Sequence, residues 1–464
     1  MSKARTFWAL VRESIRGSRP DLTQIPLGRA VVLLAVPMVL EMSMESIFAV
    51  ADIFWVSKLG PDATAAVGLT ESMMIIIYAL AMGLCMGGAA VVARRIGGKD
   101  PDGAARATVQ MIIMGVVLAA VMGTIGATQA PRLLALLGAS PATAAAGARF
   151  TSIMLGGSVT VVLLFMMNAA FRGAGDASIA MRTLLLANGI NIVLGPFLIF
   201  GWGPFPRMGV AGAAIATTIG RGVGVLYQLR ALAAGRGHLV VRRHHLRVDP
   251  EIMRTIGRIS SSGIVQSLIG TTSWIGLVRI LSGFGSVALA GYTITVRIVL
   301  FALLPCWGMS NAAATLVGQN LGAGLPDRAE SAVWRAAVYN LAFLGTVSLL
   351  FVTFAPAIVA LFSPDHQVVE VGARGLRIVS AGFIFYGFGM VMTQAFNGAG
   401  DTMTPTLINL FCFWLWEIPL AYVLAGPLGW GPPGVFTAIA VAFSTMAVVA
   451  VVLFRRGNWK RVRV

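Results

Sequence analysis

Three carboxylates fall where a carboxylate is expensive to hold. Glu41, Glu45 and Asp52 belong to one apolar run, residues 27–56. At 100° and about 1.5 Å per residue they lie at relative angles of about 0°, 40° and 20°, a narrow stripe about 16 Å long. An ionised acid near a bilayer centre costs at least ~2.5–3.5 kcal/mol, so lipid cannot be what the stripe faces. The expectation is a polar, water-reached cavity in which acids bind and release protons or cations. The alternative is pairing with Arg221, Arg279 or Arg297, the arginines that also lie inside apolar runs, with a role in packing only. Glu417, a lone acid beside Pro419, joins Tyr386 and Gln266 as a secondary set of candidates.

Such a stripe needs a helix that crosses a membrane, and the composition supplies many. Of 464 residues 57% are apolar and 11% charged, with a mean hydropathy of +0.83. No water-soluble core hides that much hydrocarbon. Runs of bilayer-spanning length occur at about 27–56, 66–93, 108–129, 145–170, 181–201, 209–229, 259–281, 287–317, 333–355, 375–396, 405–426 and 434–454. The expected class is therefore an all-α membrane protein with twelve transmembrane helices. Most Lys and Arg fall in the N-tail, the even-numbered loops and the C-tail, which places both termini in the cytoplasm and the chain in the inner membrane. The net charge of +17 is accounted for by those loops, and no nucleic-acid partner is expected.

An internal repeat organises the spans. Asn168–Asp176, containing Phe171-Arg172-Gly173-Ala174-Gly175-Asp176, recurs as Thr393–Asp401 at an offset of 225. Pro131 meets Pro356, Gly147-Ala148-Arg149 meets Gly372-Ala373-Arg374, and Pro101-Asp102 meets Pro326-Asp327 at the same offset. Nearer the start the offset reads 223, pairing Gly60 with Gly283 and the acids Glu41, Glu45 and Asp52 with Ile264, Leu268 and Ile275. The chain divides into a basic N-terminal segment (1–26), an N-lobe of helices 1–6 (27–229), a basic connector (230–258), a C-lobe of helices 7–12 (259–454) and a basic tail (455–464). Six spans per half give two parallel lobes related by an axis along the membrane normal, one of the transporter architectures. The fold is duplicated but the acid stripe is not.

Several chemistries are excluded. Cys85, Cys306 and Cys412 lie inside apolar runs, are odd in number and form no metal-binding CxxC pair. All four histidines lie in expected loops, and no HExxH, Gly-x-Ser-x-Gly or phosphate-loop motif occurs. His244-His245 lacks a third metal ligand nearby in sequence, so the connector reads as solvated and no metal or cofactor is expected. Arg12, Arg16 and Arg19, with Arg5, alternate with Phe7, Trp8, Val11 and Ile15, a pattern open between an amphipathic surface helix and a disordered tail. The pairs Met73-Met74 and Met166-Met167 suit either an adaptable cavity wall or plain packing.

Val50-Ala51-Asp52-Ile53-Phe54-Trp55-Val56-Ser57 with Leu59-Gly60, the two Gly-Ala-Gly-Asp segments, and Val317-Gly318-Gln319-Asn320-Leu321-Gly322-Ala323-Gly324 resemble the signatures of the multidrug and toxic compound extrusion (MATE) transporters, over nearly the whole chain. The resemblance implies two six-helix lobes in a V that rock about a central cavity, exporting organic, often cationic, compounds in exchange for protons or sodium, with no enzyme activity and a monomeric state. It assigns cation coupling to Asp52, a bend of the first helix to Pro37, and a cation-site asparagine to Asn191. Gly195 stands where many relatives carry a second aspartate, and Glu45 is expected to supply part of that charge with Glu41 nearby. Acids that one branch carries on helices seven and ten are also missing, with Tyr386 about where the second would be. Both losses favour protons over sodium. A lipid-linked saccharide flippase of the same superfamily is the alternative, disfavoured by the scarcity of deep arginines, and Arg94–Asp100 does not fit the second-loop motif of facilitator-superfamily transporters.

Overall fold

The computed structural model describes residues 3–464, with side chains from Phe7 onward apart from position 61. Apolar runs become helices wherever a capping residue and a proline mark their starts. Asp100 accepts from Gly103 N–H ahead of Pro101, Ser140 from Thr143 N–H ahead of Pro141, and Asp249 from Glu251 and Ile252 N–H around Pro250. The first lobe comprises α1 (Lys3–Arg16), α2 (Leu27–Ser57), α3 (Pro61–Gly97), α4 (Pro101–Leu136), α5 (Pro141–Gly156), α6 (Ser158–Ala174), α7 (Ala177–Phe200) and α8 (Val210–Ala233). The second comprises α9 (Pro250–Ser282), α10 (Ser286–Gly322), α11 (Pro326–Ala360), α12 (His366–Ala381), α13 (Phe383–Ala399), α14 (Met403–Asn409), α15 (Ile418–Ala425) and α16 (Pro432–Arg455). Eleven stretches are long and apolar enough to span a bilayer, and α12 with α13, bent by 55°, makes a twelfth. The protein is an integral membrane protein.

Apart from the ends of α4 and α11, which are 224 apart, helix ends repeat at an offset of 225 from the end of α2 against α9 to the end of α6 against α13. The offset of 223 expected near the start is corrected by this. Gly60 and Gly285, the N-caps of α3 and α10, share φ values of 103° and 92° and a ψ of 175°, so Gly60 corresponds to Gly285 and not Gly283. The acids Glu41, Glu45 and Asp52 then face Gln266, Gly270 and Leu277 across the repeat, and the conclusion that no acid is duplicated stands.

Three spans depart from straight helices. The fourth and tenth break at Gly157 and Gly382, again 225 apart. Between α14 and α15, Leu410–Glu417 winds as a π-helix. Pro419 has no N–H to give the preceding turn, and widened turns of this kind recur at functional sites. Hydrophobic periodicity carries no signal for any of these.

Contacts between the lobes lie toward the end that carries the termini. A Cβ on Gly83 would meet Ile264 N at 2.5 Å, and one on Gly97 would collide with the Gln319 carbonyl. There Thr315 Oγ1 donates to Arg172 O (3.1 Å), Gln319 Nε2 to Gly173 O (2.9 Å), and Arg94 to the carbonyls of Ala399 (3.0 Å) and Val462 (2.8 Å). Residues 17–26 thread through this end. Asp21 pairs with Lys99 at 2.8 Å, and Lys99 together with the Thr23 hydroxyl holds its carboxyl down to about 2. At the opposite end Gly60, Gly138, Gly285 and Gly429 meet open space, and Glu71 and Arg297 are exposed.

The N-terminal segment is helical, which decides between the two readings of it. Arg182 donates to the Ile15 and Arg16 carbonyls, Arg29 pairs with Glu13 at 2.7 Å, and Trp8 stands 68% exposed; the side chain of Arg5 lies outside the described residues. The connector, 234–249, docks on the first lobe. His238 binds Asp176 at 2.7 Å, and that carboxylate raises the imidazole pKa.

Candidate functional site

All three acids of α2 point into the first lobe, as their spacing requires, but they meet different partners. Glu41 is 0% exposed. Its Oε1 accepts from Arg172 Nη1 at 2.8 Å and from Asn168 Nδ2 at 3.2 Å, both on α6, and Gln228 Nε2 donates to Asn168 Oδ1 at 2.5 Å. The expectation that Glu41 lines a cavity is therefore wrong, and its cation is Arg172 rather than Arg221, Arg279 or Arg297. Arg172 sits in the repeated Gly-Ala-Gly-Asp segment at a span's end, where sequence alone reads it as a loop residue. One turn before it, Asn168 occupies the same helix face, and that i, i+4 polar pair is the signal that marks the partner.

Glu45 accepts from Asn188 Nδ2 of α7 at 3.0 Å and faces Arg221 of α8 at 3.4 Å. Arg221 is nearly enclosed between the rings of Phe48 and Phe165, and its Nε and Nη1 have no partner. Asp52 is half-buried, has no hydrogen bond or ion pair among the described residues, and lies within electrostatic range of Arg221 and Glu71. Asn191 donates to Thr217 Oγ1 at 2.7 Å, one turn beyond the residue that holds Glu45. Pro37 is buried inside an unbroken α2, where it leaves the Leu33 carbonyl without its helical donor. At Gly195 a Cβ would meet nothing within 4 Å although the residue is buried, so the missing acid leaves space. Glu71 and Tyr78 of α3 complete this polar patch and were missed, since neither lies on the α2 stripe.

Between the lobes lies a cavity of about 560 Å³. Met42, Tyr78, Met82, Met86 and Phe165 line it from the first lobe, and Gln266, Trp274, Trp307, Tyr386 and Glu417 from the second. Although it lacks the acid stripe, the second lobe brings Gln266, Tyr386 and Glu417 to this wall. Tyr386 stacks on Phe443 with centroids 4.0 Å apart, and Glu417 is 3% exposed. Of the methionine pairs, Met74, Met166 and Met167 pack in the first lobe's core with Met73 against them, and none of the four lines this cavity.

The His244-His245 pair does have a carboxylate neighbour, which corrects the reading that no third ligand is near. Asp102, His244 and His245 converge, with Asp102 Oδ1 3.1 Å from His245 Nε2. His245 Nδ1 already accepts from Arg242 N–H at 3.1 Å, so its proton sits on Nε2 and both ring nitrogens are occupied without a metal.

Two pseudo-symmetric helical lobes, a cavity between them and ionisable side chains inside the membrane define a transporter architecture. The MatE family model matches residues 37–197 and again 263–423, one copy per lobe. The chain belongs to the MatE family. It is 24% identical to the probable multidrug resistance protein NorM of Thermotoga maritima over 437 residues, covering 93% of each chain. It is 26% identical to an FAD transporter of Shewanella oneidensis, covering 94% of this chain and 96% of that one. Among solved structures it resembles an outward-facing multidrug resistance MATE family transporter with a TM-score of 0.89, at 26% identity, covering 95% of this chain and 98% of the other.

Proposed function

We propose that the protein is a proton-coupled antiporter that exports organic, often cationic or amphipathic, compounds by alternating access, with both termini in the cytoplasm of a cell bounded by its inner membrane. The observation that carries this reading is Asp52, an unpaired, half-buried carboxylate on a membrane-spanning helix with a second acid, Glu71, in electrostatic range. A fixed structural acid is found with a partner, as Glu41 is with Arg172; an acid without one is free to take up a cation.

Glu45, held by Asn188 and facing Arg221, is the second member of the coupling site, and Asn191 and Pro37 support it on α7 and α2. Protons fit better than sodium because the oxygens gathered here are few. A hard monovalent cation needs a shell of oxygen ligands, and Gly195 withholds one. Loading Asp52 removes its attraction to Arg221, which biases the packing of α2 on α8. The basic loops at the termini end support the orientation.

The relative named as an FAD transporter raises the reading of an anionic substrate. The arginine lining the cavity is already neutralised by Glu41, which favours uncharged or cationic cargo. Uptake into liposomes under a pure proton gradient and a pure sodium gradient tests the proposal. Drug movement driven by the proton gradient alone is expected; dependence on sodium alone overturns the proton assignment.

A further inference from the structure

Glu417 is a buried carboxylate with no hydrogen bond or ion pair among the described residues, and its side chain lines the cavity between the lobes. Among the described residues, two charged ones line that cavity, Arg172 and Glu417. Arg172 is bound to Glu41 at 2.8 Å, so one carboxyl without a protein cation beside it remains. The rings of Trp274, Trp307, Tyr386, Phe413 and Phe443 line the same cavity. A carboxylate among aromatic faces is the chemistry that holds a bulky organic cation, since ring faces attract positive charge and the acid neutralises it.

The backbone around Glu417 has its own peculiarity. The π-helical turn Leu410–Glu417 ends on this residue and is anchored by Trp414 Nε1 donating to Ile269 O at 3.2 Å. Helix α14 begins 226 residues after α7, a register that sets Glu417 at the position of Asn191 in the first lobe. The same place in the fold thus holds an amide facing Thr217 in one lobe and an unpaired acid facing the cavity in the other.

We infer that Glu417 is the cargo-recognition carboxylate, a specificity-determining residue that pairs with the positive centre of a monocationic aromatic substrate in the second lobe, apart from the coupling acids of the first. This rests on the exporter reading and names its substrate class. Leaving the carboxylate buried and unpaired is costly, and a cationic guest removes that cost where a neutral one does not.

Equilibrium binding to the full-length protein in nanodiscs, without any gradient, tests this with two probes of matched shape and opposite charge, tetraphenylphosphonium and tetraphenylborate. The wild type is expected to prefer the phosphonium. Glu417→Gln should weaken phosphonium binding at least tenfold while leaving borate binding unchanged or tighter, and Glu417→Asp should keep most of the preference. Equal phosphonium affinity in wild type and Glu417→Gln overturns the inference, as does parallel loss of both probes, which would mark a packing role. Absence of phosphonium binding to the wild type also overturns it. Because no gradient is applied, phosphonium bound through Glu417 but never moved by a proton gradient would sink the exporter reading and leave this site standing.

Discussion

The contrast between Glu41 and Asp52, eleven residues apart on one helix face, separates an acid that stabilises from an acid that is free to act. Glu41 and Arg172 form a buried pair, and removing one partner strands the other charge at a cost of about 3–5 kcal/mol. Glu41→Ala and Arg172→Ala should each lower the thermal unfolding temperature of the purified protein sharply. The double variant Glu41→Gln with Arg172→Asn copies the residues found 225 positions on, Gln266 and Asn397, and should be milder than either single change; additive losses would contradict the pairing. Gly195→Asp should fold, because its new side chain enters open space, and should add sodium-stimulated uptake by restoring an acid near Asn191. The stripe itself was legible, since three acids in an apolar run at one angle can only face inward. Which of them would be neutralised was not, because Arg172 belongs to another span and only folding brings it to Glu41.

At the scale of elements, the seal between the lobes is built from close backbone approach. Gly97 has no room for a side chain against the Gln319 carbonyl, and overpacking such a contact costs about 1–3 kcal/mol. Gly97→Val should shift the population about 5- to 150-fold away from the form closed at the termini end, read as longer spin-label distances between the ends of α3 and α10. The connector is held partly by a titrating pair. The Asp176 carboxylate raises the His238 pKa, so the stabilisation is full below the ordinary histidine value of about 6.5 and is lost as pH rises through the raised value. Amide exchange in residues 234–249, corrected for intrinsic rates, should therefore speed up at alkaline pH, and Asp176→Asn should abolish the difference. Span number and order could be read from hydropathy, because lipid imposes length. The breaks at Gly157 and Gly382 and the π-helical turn at 410–417 could not, because they follow from packing between helices and leave the local pattern unchanged.

Across the whole molecule, a duplicated scaffold carries unlike chemistry in its halves. The first lobe concentrates Glu41, Glu45, Asp52 and Arg221 inside its bundle, and the second offers Gln266, aromatic rings and Glu417 to the shared cavity. The repeat was visible in sequence as a constant offset, and the asymmetry as missing acids. The lining of the cavity was not, since it is assembled only where the two lobes meet. Glu71 of α3 and Arg297 of α10 occupy nearly equivalent places in the two lobes and lie within electrostatic range of each other at the open end. Closure of that end should bring them together, so a cysteine pair at 71 and 297 should crosslink faster when substrate or low external pH favours the closed mouth. On the proposed mechanism Asp52 carries the coupling proton. The direct measurement is drug-driven proton movement in sodium-free proteoliposomes containing wild type or Asp52→Asn, with thermal unfolding as the control for folding. Wild type is expected to move protons against drug and the folded variant is not; full exchange by Asp52→Asn would show that the proton travels elsewhere.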